Sequence, residues 1–168
     1  VVKVLEKLGR PDAARYGEAA RRFAARWVED AANGDGSYRL AFDRPGTFSM
    51  KYNLVWDRLL GLGLFPQEVY RTQRESYDRH QNAYGLPLDN RADYTKSDWQ
   101  IWSACLYGSR EDFARMIHPV WLTYHCSPSR VPMNDWYSTI TSKQVKFQNR
   151  TVQGGLYLKL LMDKELCR

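Results

Sequence analysis

Apolar positions recur every three or four residues along most of the chain, the spacing that lines side chains up on one face of an α-helix. After Pro11, Ala13, Tyr16, Ala20, Phe23 and Trp27 step in this way and predict an amphipathic helix from residue 11 to about 32, ended by Asn33, Gly34, Asp35 and Gly36. Tyr52, Val55, Trp56, Leu59 and Leu60 form a second stripe that stops at Gly61. Pro66 starts a third helix whose face carries Val69, Tyr70, Tyr77 and Tyr84 before Gly85. Aromatic stripes of this kind belong to a core more often than to a binding surface. Two hydroxyl–acid pairs, Thr95 with Asp98 and Ser109 with Asp112, match the pattern that satisfies the free amides of a helix start, and predict helices over 95–107 and 110–125. A last helix is expected from Thr151 to Leu166. Gly154 and Gly155 near its start weaken a helix, so a close backbone approach is the expected reason for them.

The opening VVKVLEKLG reads as the rear half of a helix closed by Gly9, which brings the expected number of helices to seven. Their connections alternate in length. Residues 9–10, 62–65 and 107–109 are tight, whereas 33–49, 85–94 and 126–150 are long. In an up-and-down array of antiparallel helices, alternate connections emerge at the same end, so the three long ones are expected to share a face. Loops of that length in a compact helical domain are functional or disordered, and Tyr38, Phe42, Phe48, Trp136 and Tyr137 make these too apolar for disorder. Within the last, DWYSTI and KQVKF flank Thr141 and Ser142 and predict a small β-hairpin near 135–147.

Composition narrows the picture. At 168 residues the chain fits one all-α domain able to bury a core without covalent staples. No run of about 18 apolar residues offers a membrane span. The net charge of +6 is spread along the chain, and its tightest group, Arg21, Arg22 and Arg26, fits the solvated face of a helix, so nucleic acid is not the expected partner. The three cysteines lack CxxC spacing, and neither a metal nor a cofactor is expected. Cys105 and Cys126 would lie roughly 20 Å apart on neighbouring antiparallel helices, too far for a disulfide, which leaves Cys126 with Cys167. The chain starts with neither an initiator Met nor a signal peptide, and the expectation is a processed product or a piece of a longer protein.

Candidate chemistry concentrates in the long loops. In LPLDNRADYTKSDW, Thr95 and Asp98 have a sufficient task as a cap, but Asp89, Arg91 and Asp93 have none beyond an Asx turn at Asp89 and Asn90. Lys96 falls in the first helical turn, where the helix dipole disfavours a cation, so it requires an acidic or ligand partner. A second cluster, SRVPMNDWY, holds Arg130, Asp135 and Trp136 between stiffening prolines, and Lys51 and Tyr52 start their own helix nearby. Carboxylates, cations and aromatics around one opening suit a small polar substrate or a sugar; the competing reading is a surface ion-pair network over packed rings. Asp89, Asp93 and Asp135 are the candidate acids or bases. Lys51, Lys96, Arg91 and Arg130 are the candidate partners for a carboxylate or oxyanion, with Tyr52, Trp99 and Trp136 as binding surfaces. There is no GxSxG turn, and His80, His118 and His125 lie in helical segments, so hydrolysis would rest on a carboxylate that activates water.

Four motifs in order, SMKYNLVWDRLLGLGLFP, YGLPLDNRADYTKSDWQIWSA, SRVPMNDWY and FQNRTVQGG, resemble the C-terminal helical region of the glutaminase A family of secreted fungal and bacterial proteins. The resemblance covers nearly the whole chain. It implies part of an α/α toroid of the six-hairpin glycosidase type, with the rest of the toroid as partner and hydrolysis of glutamine to glutamate and ammonia by the intact protein. It also implies secretion, with which the Asn149, Arg150, Thr151 glycosylation triplet agrees. Ser138 and Ser142 depart from the pattern, standing where an acidic residue and a glycine are expected after the DWY. Two readings from other classes stand beside it: a carbohydrate-binding, lectin-like helical module, and a nuclease or RNA binder resting on charge alone.

Overall fold

The computed structural model describes residues 1–164. Among them are seven α-helices, the number the periodicity predicts: α1 (Val2–Lys7), α2 (Ala13–Asp30), α3 (Val55–Leu59), α4 (Gln67–His80), α5 (Ser97–Ala104), α6 (Arg110–Cys126) and α7 (Leu158–Asp163). Short 3-10 helices at Tyr52–Leu54 and Thr151–Tyr157 lead into α3 and α7. Strands β1 (Tyr94–Lys96) and β2 (Trp136–Ser138) pair antiparallel, Thr95 opposite Tyr137. Local chemistry sets several boundaries as expected. Ser109 Oγ accepts the Asp112 amide at 3.0 Å and starts α6. Gly9 and Gly61 take positive φ just after α1 and α3.

Several boundaries differ from the sequence reading. α4 ends at His80, and Tyr84 lies in the following connection, where its amide donates to the Thr139 carbonyl at 2.9 Å. Thr95 does not cap α5. Pairing with β2 holds residues 94–96 extended, and the buried Thr95 hydroxyl accepts a hydrogen bond from Gln100 Nε2 at 2.8 Å. The last helix begins as a 3-10 helix, because its backbone presses on α5: a Cβ on Gly155 would lie 2.8 Å from Asp98 Cβ and 3.1 Å from Trp102 Nε1. Gly154 has no such neighbour. The expected end at Leu166 and the pairing of Cys126 with Cys167 fall outside the described residues.

The expected hairpin takes a different form. β2 has β1 on one edge; on the other the chain turns back through residues 139–142, with Val145 N–H donating to the Trp136 carbonyl and Ser138 N–H to that of Lys143. Ser142 sits in that turn at φ +57°, a left-handed conformation suited to the glycine the resemblance leads one to expect there.

Two apolar clusters hold the helices. Val55, Leu59, Val69, Tyr70, Ile101, Leu106 and Leu158 form the larger, and Phe48, Met50, Tyr77, Leu86, Ala104 and Met116 the other. Each fully buried large side chain contributes about 1.5–3 kcal/mol. The three long connections are stitched together by their backbones. Met50 N–H donates to the Leu88 carbonyl at 2.7 Å, Thr139 N–H to that of Asp93 at 2.8 Å, and Ser97 N–H to that of Asp135 at 2.9 Å. Buried amides must be satisfied, so these bonds fix the loops as firmly as a sheet would. No helix among the described residues is long and apolar enough to cross a membrane.

Candidate functional site

The rings of Tyr52 and Trp99 stack with centroids 4.0 Å apart and an interplanar angle of 6°, and Trp99 lines two clefts. The first, of about 550 Å³, is lined by Trp27, Lys51, Tyr52, Asp89, Arg91 and Trp99 together with apolar neighbours. Lys51 reaches it from the end of the 33–51 connection, which the Tyr77 hydroxyl anchors by accepting the Lys51 amide at 2.7 Å. The Lys51 ammonium donates to the Arg39 carbonyl and to Ser49 Oγ, leaving one of its three protons for a ligand. Burial pushes this amine down to about 8, against the opposing pull of Asp89. Asp89 forms the expected Asx turn, accepting the Arg91 amide at 2.9 Å, and also takes the Arg91 guanidinium in a fork at 2.8 and 2.7 Å. Burial raises the proton affinity of Asp89, but the Arg91 bonds and the charges of Arg91 and Lys51 outweigh it and keep the carboxylate ionised.

The second cleft, of about 390 Å³, is lined by Lys96, Asp98, Trp99, Trp102, Arg150, Val152 and Gly155. Beneath it Asp135 is wholly buried. Its carboxylate accepts from Arg150 Nε at 3.0 Å and also from Arg150 Nη2, and Lys96 Nζ lies 3.4 Å away. Lys96 is the last residue of β1, immediately before α5 rather than in its first turn, and it has the acidic partner expected for it. Its ammonium also sits 3.8 Å from the centre of the Trp136 ring. Burial raises the proton affinity of Asp135, yet Arg150 and Lys96 together bring it below the ordinary carboxylate value. Lys96 is itself lowered, because desolvation outweighs an attraction it must share with Arg150. Asp98, the second residue of α5, is 6% exposed, and its Oδ1 has no hydrogen-bond partner among the described residues. Burial is the main cause of its raised proton affinity, opposed in part by the adjacent Trp99 amide.

Of the sequence candidates, Lys51, Tyr52, Asp89, Arg91 and Trp99 meet at the first cleft, and Lys96 and Trp99 at the second with Asp135 behind them. Trp136 lies half-buried between Tyr94 and Phe147, under Lys96 rather than in either cleft. Asp93 is exposed, and it is its carbonyl, not its carboxylate, that the structure uses. Arg130 is exposed and donates to the Ser127 carbonyl at 3.1 Å; it lines neither cleft. Two residues gain importance. Arg150 reads in sequence as the middle of a glycosylation triplet, and Asp98 as a cap, so neither signalled the cleft. The requirement of Lys96 for a counter-charge was the available clue. His80 stacks on Phe48, and His118 and His125 flank exposed Trp121 on α6; none lines a cleft. Among the described residues no cluster of His, Cys, Asp and Glu suits a metal ion.

A mostly helical domain whose long connections are stitched around paired cation–carboxylate clefts is the class that fold and site define. The chain belongs to the family described as the glutaminase A six helical-hairpin domain, whose model matches residues 1–160. It is 33% identical over 162 residues to glutaminase A of Aspergillus oryzae (strain ATCC 42149 / RIB 40), an alignment covering 92% of this chain and 23% of that protein. It is 27% identical over 179 residues to a protein of Arthroderma benhamiae (strain ATCC MYA-4681 / CBS 112371) described as "Probable glutaminase", covering 84% of this chain and 20% of the relative. The chain therefore spans between a fifth and a quarter of the length of these curated relatives. No solved structure matched it.

Proposed function

We propose that the chain is the part of a secreted glutamine amidohydrolase that holds the amino acid, and that further helical hairpins complete an α/α toroid around its clefts. The observation that carries this reading is the pair of clefts that share Trp99, each offering at least one cation and one carboxylate. Glutamine has a charged α-carboxylate and α-ammonium at one end and a neutral amide at the other. The free proton of Lys51 suits the α-carboxylate, and ionised Asp89 suits the α-ammonium. Lys96 and Arg150, which line the second cleft, suit the oxygen of an attacked amide as it gains negative charge. Family membership and the names of the relatives agree with glutamine as substrate.

The test is ammonia release from L-glutamine by the intact protein that carries this chain, compared with the 168-residue chain alone. Ready turnover by the intact protein and little by the chain alone is expected. An intact protein that releases no ammonia would sink the reading; equal rates would remove the need for the further hairpins. One observation favours a saccharide ligand instead: the stacked rings of Tyr52 and Trp99 resemble a sugar-binding platform. Binding inhibited by simple sugars and indifferent to glutamine would select that alternative. Secretion is supported by the exposure of Asn149 within its triplet. A mass decrease on enzymatic deglycosylation of protein from culture medium is expected, and recovery from cytosolic fractions alone would refute it.

A further inference from the structure

We infer that Asp98 is the acid–base residue of the second cleft, the group that takes a proton from the attacking water and returns it to the departing nitrogen. The inference rests on the glutaminase reading and goes beyond it by choosing one carboxyl over the three acids that the sequence singles out. The choice follows from how each is engaged. Asp89 is forked by the Arg91 guanidinium and bonded to its amide. Both oxygens of Asp135 accept from Arg150, and one also faces Lys96. Asp93 is exposed and lines neither cleft. A carboxylate held on every side by cations is a poor proton carrier, since its neutral form is strongly disfavoured.

Asp98 is placed the opposite way. It lines the cleft, nine-tenths of it is buried, and Oδ1 lacks a partner among the described residues. Other buried polar atoms among the described residues also lack a partner, but that of Asp98 is the one among them that belongs to a residue lining either cleft. Its position is also tightly determined. Gly155 packs against Asp98 Cβ with no room for a side chain, and Trp102 Nε1 holds that backbone by donating to the Gly155 carbonyl at 3.2 Å. The titratable and charged groups acting on Asp98 come from every neighbouring segment: Lys96 from β1, Asp135 and Arg150 from the long connection, Tyr52 ahead of α3, and Tyr124 of α6. These surroundings drive Asp98 and Asp135 apart, one toward keeping its proton and the other toward losing it. Such divergence separates an acid–base group from a fixed countercharge.

The step balances. Ionised Asp98 removes a proton from water as the oxygen forms a bond to the amide carbon, and the amide oxygen takes the negative charge facing Lys96 and Arg150. Protonated Asp98 then gives that proton to nitrogen, the oxygen electron pair re-forms the carbonyl and the C–N bond breaks. The γ-carboxylic acid and ammonia leave, the acid proton passes to the ammonia in solution to give glutamate and ammonium, and Asp98 is ionised again.

The experiment uses the intact protein with Asp98→Asn, a change of almost no volume. General acid–base groups contribute about 10²–10⁴-fold, so kcat should fall at least 100-fold with KM within about threefold and Tm not lowered. The acid limb of the wild-type pH–rate profile should disappear in the variant, and Asp98→Glu should restore part of kcat with the limb displaced. An Asp98→Asn enzyme within tenfold of wild-type kcat would overturn the assignment while leaving the glutaminase reading intact. A wild-type enzyme that releases no ammonia sinks that reading instead. Should the variant fail to fold, carboxyl ¹³C titration of the wild type decides: Asp98 is expected to titrate above Asp135 and to respond to bound glutamate, and titration with or below Asp135 overturns the inference.

Discussion

At the scale of single residues, Lys51 shows two forces meeting on one amine. Desolvation lowers its proton affinity to about 8, while two acceptors and nearby Asp89 retain the charge. Between about pH 8 and the unfolded value of 10.5 the unfolded chain binds more protons at this site, so the wild type should gain stability relative to Lys51→Met as pH rises through that window. Paired thermal melts at pH 7.5 and 10 check this, and a constant difference would refute it. Asp135 has the reverse sign. Its lowered proton affinity contributes stability above the unfolded carboxylate value, about 3.9, which is lost as pH falls through its lower folded value. Asp135→Asn strands Lys96, whose side chain is only 11% exposed, and should destabilise the fold by about 3–5 kcal/mol in denaturant titrations at pH 7. The sequence reading placed Asp135 in a long loop among the candidate acids or bases. In the structure it is completely buried and paired with Arg150 and Lys96, and burial is what loop assignment conceals. The demand of Lys96 for a partner was legible from helix electrostatics. The identity of that partner, 39 residues away, was not.

At the scale of elements, the stripes of α2 to α4 and the Ser109 cap were legible because they depend on neighbours within one or two turns. Thr95 was misread because a short strand partner from a distant connection overrode a local capping pattern. The paired glycines of the last helical segment separate local from tertiary effects. Gly155→Ala would force a methyl to within 2.8 Å of Asp98 Cβ and should cost about 1–3 kcal/mol by overpacking. Gly154→Ala meets open space and should be neutral or slightly stabilising. Comparison of the two unfolding midpoints checks the pair, and equal losses would show that helix propensity rather than the contact with α5 governs this segment. Ser142, at positive φ, shows how a motif departure can be tolerated where the turn geometry itself is retained.

At the scale of the whole molecule, stability is unevenly distributed. α1 buries no residue, and Val4 and Leu8 remain exposed, whereas α4 and α5 each contribute several side chains to the interior. Hydrogen exchange on the 168-residue chain should therefore release the amides of α1 first and those of α5 last, by about two orders of magnitude or more. Uniform protection would contradict it. The alternation of tight and long connections was visible in the sequence, but the division of their residues into two clefts was not, because it depends on where Trp99 stacks. That division also orders events in time. The lining of the first cleft runs from Trp27 to Trp99, whereas that of the second extends to Gly155. At about 5–20 residues per second, a ribosome adds the intervening stretch over roughly 3–11 s. For that interval a growing chain carries every residue of the first cleft and an incomplete set for the second, so on the proposed reading the means of capture would precede the means of cleavage at each round of synthesis.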